Sequence, residues 1–246
     1  MLAMNINITA MIPARLGSTR LKMKNLALLN GKPLIYYAIK AAQDSNVFDR
    51  VVLNSDSEIF KKIAERYGAE FYHRPEDLGG SSIKSDMVVA DFIRKNPCDV
   101  VVWVNPIAPL LTGKDVKSIV DTFLDKKYDT LFTVKCEQVH CNYKGHPLNY
   151  SQDEIFEQTQ DLEPVQPFVY SIMMWRTEPF LKRMEDKGNA FFTGKVGYYE
   201  VDKLTCIIVK DKNDLLMAEM LMAADESQEA YQVNYDEIVG EDDSNG

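Results

Sequence analysis

The chain has 246 residues, 46% hydrophobic and 26% charged, which suits one α/β domain of ordinary globular composition. A net charge of −9 argues against a general nucleic-acid binder, and the apolar runs are strand-sized, too short for a membrane span. Met1–Ile12 has no basic segment and no cleavage-like site, so no secretory signal is expected. Cys98, Cys136, Cys141 and Cys206 show no disulfide spacing, and the expectation is a cytoplasmic protein with free thiols. His140 and His146 lie near Cys136 and Cys141, but the spacing matches no standard zinc motif.

In chain order, Asn5–Ala14 alternates, is β-branched and reads as a strand running into a loop at Arg15–Lys24. Pro33 opens a helix to about Asp44, as suits proline in a first turn. A strand at Arg50–Asn54, a helix at Ser57–Tyr67 and a short strand at Glu70–His73 follow. Lys84–Lys95 reads as a helix, Asp99–Asn105 as a buried valine-rich strand, and Thr112 as the cap of a helix through Lys126. Thr130–Lys135 is another strand. This alternation predicts a mostly parallel sheet with helices on both faces, whose ligands bind at the carboxyl ends of the strands.

The rhythm breaks at Glu137–Pro167, a polar stretch that reads as an inserted functional or interaction arm. Phe168–Trp175 then reads as a strand, Thr177–Lys187 as a helix, and Val196–Val201 and Thr205–Val209 as strands. Asn213–Ala224 is a Met-rich helix whose methionines suit core or subunit packing. The domain is bounded at 1–226, and 227–246 reads as an acidic, disordered tail. Trp103 and Trp175 read as core residues, and no Ser-His-Asp or Cys-His arrangement is evident.

Charge is segregated. Residues 1–43 hold Arg15, Arg20, Lys22, Lys24, Lys32 and Lys40 and no acid, whereas 225–246 hold eight acids and no Lys or Arg. A positive patch in an acidic chain focuses its field on one place. Within the first loop, Gly17 offers positive φ and close backbone approach, Ser18 and Thr19 offer hydroxyls, Arg15 a bidentate phosphate contact and Lys24 a point charge. That combination suits a triphosphate, yet neither the Walker pattern nor the G-x-G-x-x-G fingerprint is present.

Pro13-Ala14-Arg15, Ser18, Lys24-Asn25-Leu26 and Asn30-Gly31-Lys32-Pro33-Leu34 resemble the opening of the sugar-acid cytidylyltransferases, the CMP-acylneuraminate and CMP-Kdo synthetases. Asn54-Ser55-Asp56 and Arg74-Pro75 extend the resemblance, which covers about residues 7–222. It implies a three-layer, Rossmann-like nucleotidyltransferase fold, CTP and magnesium at the loop, and transfer of CMP to an acidic 2-keto-3-deoxy sugar with release of pyrophosphate. It further implies a homodimer formed through an arm placed where 137–167 lies.

By position, Arg15 and Lys24 would hold the phosphates and act in catalysis. Pro13, Ala14, Gly17, Ser18, Thr19, Asn25, Arg74, Ser81 and Asn105 complete the expected nucleotide contacts. By pattern alone, Arg74 and Lys84 suit surface charges equally well, and Ser81 and Ser82 suit helix caps. Asp56 fits either a ligand contact or a cap for the helix at Ser57.

Downstream the chain departs from the family. Asn105-Pro-Ile-Ala-Pro-Leu-Leu111 stands where the family has Gln-Pro-Thr-Ser-Pro-Leu-Arg, and Ile107 stands at a metal-binding Asp of the Kdo branch. Ile208 and Lys210 stand at the neuraminate branch's magnesium aspartates, with Asp211, one residue late, as the candidate ligand and Asp214 as the alternative that loop geometry could aim at the pocket. Phe168 and Tyr170 stand near the expected arginine and asparagine of the sugar site. Two readings follow: an active enzyme for a divergent acceptor, or a weak or inactive nucleotide-binding homologue acting as a partner or regulatory subunit.

Overall fold

The computed structural model describes residues 6–80 and 82–225. Ser81 and the expected tail 227–246 lie outside the described residues. β1 (Ile8–Ala14) leads through the basic loop and a 3-10 turn at Lys24–Leu26 into the short β2 (Leu28–Leu29) and β3 (Lys32–Pro33), then α1 (Leu34–Ser45). β4 (Arg50–Ser55), α2 (Glu58–Tyr67), β5 (Glu70–His73), α3 (Ser85–Lys95), β6 (Val100–Val104), α4 (Gly113–Asp125) and β7 (Thr130–Val134) continue the alternation. After the small hairpin β8 (Asn142–Tyr143) and β9 (His146–Pro147) come β10 (Phe168–Arg176), α5 (Thr177–Lys187), β11 (Val196–Glu200) and α6 (Lys212–Asp225).

The main sheet has the order β11-β7-β10-β6-β1-β4-β5. β10 runs antiparallel to both its neighbours, and the other pairs are parallel. Side chains alternate across the sheet, as the two-residue period of a strand requires. Ala10 and Ile12 of β1 join a core with Ile35 and Ala38 of α1, Phe60 of α2 and Ile119 of α4. Met11 points the other way, to Val89 and Phe92 of α3 and Phe180 of α5. The result is a three-layer α/β fold with α1, α2 and α4 on one face and α3 and α5 on the other.

Local chemistry sets the boundaries. Pro33 caps α1 from outside, and Asn46 ends it in the left-handed region at φ 53°. Thr112 and Asp115 form a reciprocal capping box on α4, so the cap expected at Thr112 is present. Segment 137–167 is held by its own polar contacts: Asn149 Nδ2 donates to the carbonyls of Val139 and Glu163, at 3.0 and 2.9 Å. His140 stacks on Phe156 with ring centroids 4.1 Å apart, and no metal-binding cluster of His, Cys, Asp and Glu forms among the described residues.

The strand expected at Thr205–Val209 does not form. Asp202 folds the chain into a turn: its Oδ1 accepts from Thr205 N at 2.8 Å and its carbonyl from Cys206 N at 3.1 Å. Val209 N then donates to the Ile107 carbonyl at 2.8 Å, which ties this segment to the loop after β6. α6 buries Ala218 and packs Leu215 and Met222 near Leu29, Leu34 and Val209, but Leu216, Met217 and Met220 are exposed. Among the described residues no helix is long and apolar enough to cross a membrane.

Candidate functional site

In this sheet the chain moves outward from β1 to β4 and β5 on one side, then returns to place β6 on the other. The loops leaving β1 and β6 therefore diverge, and parallel sheets open a ligand crevice at such a point. A cavity of about 330 Å³ lies there. Of the residues expected from sequence, Pro13, Ala14, Arg15, Ser18, Thr19, Lys24, Asn25, Arg74 and Asn105 all line it.

Gly17 does not line the cavity, and its φ lies outside the left-handed region. The left-handed residue in this loop is Met23 at φ 49°, which turns the chain into Lys24–Leu26 and presents Lys24 and Asn25 to the cavity. The conformational demand met by glycine in many phosphate loops is here displaced by six residues.

The loop's cations converge. Arg15, Arg20 and Lys24 line the cavity, and among the described residues none of them enters an ion pair. Burial holds the Lys24 ammonium below its ordinary pKa, and the Arg20 and Arg15 charges push the same way. Asp214 opposes this shift and Lys210 adds to it, so the start of α6 faces the same field. The Asn25 side chain is buried with its Oδ1 unpaired.

Arg74 is a buried cation, 4% exposed. Its Nη2 donates to the Ala14 carbonyl at 3.1 Å and to Asp56 Oδ1 at 3.0 Å, while Nε is buried and unpaired. Asp56 thus neither caps α2 through its side chain nor lines the cavity; it is the counter-charge of Arg74. A Cβ on Gly79 would collide with the Asp56 carboxylate, so glycine there lets the 76–80 turn close over the pair. Lys84 is exposed and outside the cavity, whereas its neighbour Ser85 lines it.

The β6 side is less polar. Trp103, expected in the core, is half-buried and lines the cavity, with Nε1 buried and unpaired; Trp175 is fully buried as expected. Leu78, Ile83, Val88 and Ile107 add apolar surface. Asn105 Nδ2 donates to the Tyr170 carbonyl at 3.1 Å. Arg20, Gly79, Ser85, Val88, Trp103 and Ile107 were not among the expected contacts. Strand alternation carries a signal for Trp103, which shares a face with Val101 toward α3. Nothing local marks Gly79.

Residues 9–235 match the family described as cytidylyltransferase. The chain belongs to the cytidylyltransferase family. It is 46% identical over 82 residues to an N-acylneuraminate cytidylyltransferase of Escherichia coli, covering 33% of this chain and 20% of that protein. It is 36% identical over 127 residues to a pseudaminic acid cytidylyltransferase of Campylobacter jejuni, covering 49% and 55%. The chain spans about half or less of the length of the curated relatives it matches. The fold is that of a CMP:2-keto-3-deoxy-manno-octonic acid synthetase solved with CTP, with a TM-score of 0.68 at 15% identity over 89% of this chain and 99% of that one.

The magnesium that the cytidylyltransferase resemblance implies does not fit the cavity's own side chains. Magnesium takes hard oxygen ligands in octahedral geometry. The described lining supplies cations, hydroxyls and amides and includes no carboxylate. Asp211 lies outside the lining and caps α6: its Oδ1 accepts from Asn213 N at 2.9 Å and Asp214 N at 3.2 Å. Asp214 Oδ2 reciprocates, accepting from Lys210 N at 2.7 Å and Asp211 N at 3.0 Å. Asp211, the expected metal ligand, thus serves as the N-cap of α6 through its Oδ1.

Proposed function

We propose that this chain transfers CMP from CTP to a sugar acid. The observation that supports the reading is the cavity at the β1–β6 divergence, where Arg15, Arg20 and Lys24 converge without acidic partners in a member of the cytidylyltransferase family. In the reaction, an acceptor hydroxyl oxygen forms a bond to the α-phosphorus while the bond from that phosphorus to its bridging oxygen breaks. Pyrophosphate leaves with the electron pair, and the hydroxyl proton passes to solvent.

Negative charge builds on the departing pyrophosphate. Preorganised cations in a partly desolvated cleft stabilise such charge more than water does. Arg15 and Lys24 take that role, Ser18 and Thr19 donate hydroxyl hydrogens, and Asn25 orients the phosphates. Arg74 Nε offers a further donor on the β4 side. The lining is built for a ligand rich in acceptor oxygens.

We also take the acceptor to be of the neuraminate or octulosonate type, the chain to work in the cytoplasm, and 137–167 to join two copies. The test measures pyrophosphate release with CTP, magnesium and a panel of N-acylneuraminate, 3-deoxy-manno-octulosonate and pseudaminic acid. Release dependent on one acceptor is expected. CTP binding with no release across the panel would overturn the enzymatic reading in favour of a nucleotide-binding subunit.

A further inference from the structure

The segment between β11 and α6 brings one more charge to the cavity. Val209 is fully buried with Leu29, Leu34 and Ala218, and Leu21 of the basic loop packs against the same cluster. Val209 N donates to the carbonyl of Ile107, a residue of the cavity wall, at 2.8 Å. Lys210 follows directly, with its backbone N held by Asp214 Oδ2 at 2.7 Å. Its side chain is exposed and enters no ion pair among the described residues. Lys210 therefore stands on the cavity rim rather than in its wall, and its charge acts on Lys24 inside.

A nucleoside triphosphate carries about four negative charges at neutral pH. Arg15, Arg20 and Lys24 in the wall and Lys210 on the rim supply four positive ones. Asp214 is the carboxylate that acts on Lys24, and its Oδ2 already accepts the N–H groups of Lys210 and Asp211. Asp211 Oδ1 is held in the same way by Asn213 and Asp214. A divalent cation at this wall would meet fixed positive charges with no wall carboxylate to offset them. The cations also repel one another, and a bound polyanion relieves that repulsion. A metal-loaded nucleotide, with about half the negative charge, relieves less of it.

We propose that the cavity takes its nucleoside triphosphate free of metal, with Lys210 reaching the phosphates from the α6 side as the fourth cation. A lysine is a compact charge on a flexible stem, so it can stand in solvent on the rim and swing inward once the ligand is seated. The misfit of magnesium to the wall and the surplus of unpaired cations then have one cause: side chains neutralise the charge that a metal would otherwise neutralise. The inference rests on the ligand being a nucleoside triphosphate, as proposed above.

The test is calorimetric titration of the full chain with CTP and with inorganic tripolyphosphate, each in EDTA and in magnesium. The proteins are the wild type, Lys210→Met, Lys210→Arg and, as control, Lys212→Met, which removes an exposed lysine outside the charges that act on Lys24. Wild-type affinity is expected to differ by less than about tenfold between the two conditions. Lys210→Met is expected to weaken metal-free binding of both ligands roughly three- to tenfold, with Lys210→Arg and Lys212→Met near wild type. Magnesium is expected to recover part of that loss, which a merely structural defect would not show. A larger loss of wild-type affinity on chelation overturns the proposal. Metal-free affinity unchanged in Lys210→Met, or weakened equally in Lys212→Met, overturns it too. Tripolyphosphate separates the inference from the reading it rests on. If CTP fails to bind while tripolyphosphate binds in EDTA and weakens in Lys210→Met, the proposed function fails and the four-cation cradle stands. If neither ligand binds in EDTA, the cradle fails.

Discussion

Asp56→Asn separates two roles of one carboxylate. Asp56 pairs with Arg74 at 3.0 Å, with the two side chains 26% and 5% exposed. Breaking a buried pair costs roughly 3–5 kcal/mol, and partial exposure of Asp56 lowers the expectation to about 2–3 kcal/mol. For a domain of this size that corresponds to a melting temperature lower by roughly 5–10 °C. Nucleotide affinity should move the other way. Arg74 lines the cavity with Nε unpaired, and losing its counter-charge leaves an extra positive charge facing the phosphates. Charges several ångströms apart at an effective dielectric near 20 make this worth about 1–2 kcal/mol. Gly79→Ala, which crowds the same carboxylate, should repeat both signs. Thermal melts and calorimetric titration with CTP read the two effects. If Asp56→Asn lowers stability and CTP affinity together, Asp56 positions Arg74 and does not merely neutralise it, and the reasoning fails.

Thr112→Ala should cost about 1 kcal/mol in urea unfolding, and a cycle with Asp115→Ala should be strongly non-additive because the two side chains cap each other. Lys24 is held below the ordinary lysine value, and bound phosphates should raise it again. CTP affinity should therefore be full below the free-cavity pKa and fall as pH rises through it, with proton uptake on binding at alkaline pH. Titrations in buffers of different ionisation enthalpy check this, and a buffer-independent enthalpy across that range would refute it. Chelation with EDTA should weaken CTP binding by less than about tenfold, 1.4 kcal/mol, because the described cavity lining holds no carboxylate to recruit magnesium. Ile107→Asp should weaken metal-free binding and make it respond to magnesium; an unchanged response would count against the assignment of Ile107 to the cavity wall.

The order of elements was legible because strand and helix periods differ and because Thr112 and Pro33 punctuate them with local chemistry. The cationic half of the cavity was legible for a related reason: Arg15–Asn25 is one continuous loop, and Arg15, Ser18, Thr19, Arg20, Lys24 and Asn25 all line the cavity. What was not legible depends on pairing at a distance. The segment Thr205–Val209 has the residue types of a strand, but Asp202 captures its N–H groups before any neighbouring strand does. From its neighbours in sequence Asp56 reads equally as a ligand contact or a cap, whereas its partner Arg74 stands 18 residues away and is buried.

β10 shows the same limit more sharply. The family comparison places Phe168 and Tyr170 near the sugar site, but as residues two apart on a strand they give no sign that their rings stack. The register slip against β7 and the left-handed φ at Tyr170 decide that their rings stack beside the cavity mouth. Neither feature has a glycine or proline to announce it, so the cost must be met through Phe168, which packs against Phe132, Phe192 and Tyr198 and stacks on Tyr170. A backbone held out of its preferred region by surrounding aromatic contacts is sensitive to their loss. Removing Tyr198 should therefore loosen Phe168 and, through the stack, Tyr170. A lasting change at Tyr170 in backbone amide exchange of Tyr198→Ala would separate this enforced geometry from a shelf of independent rings.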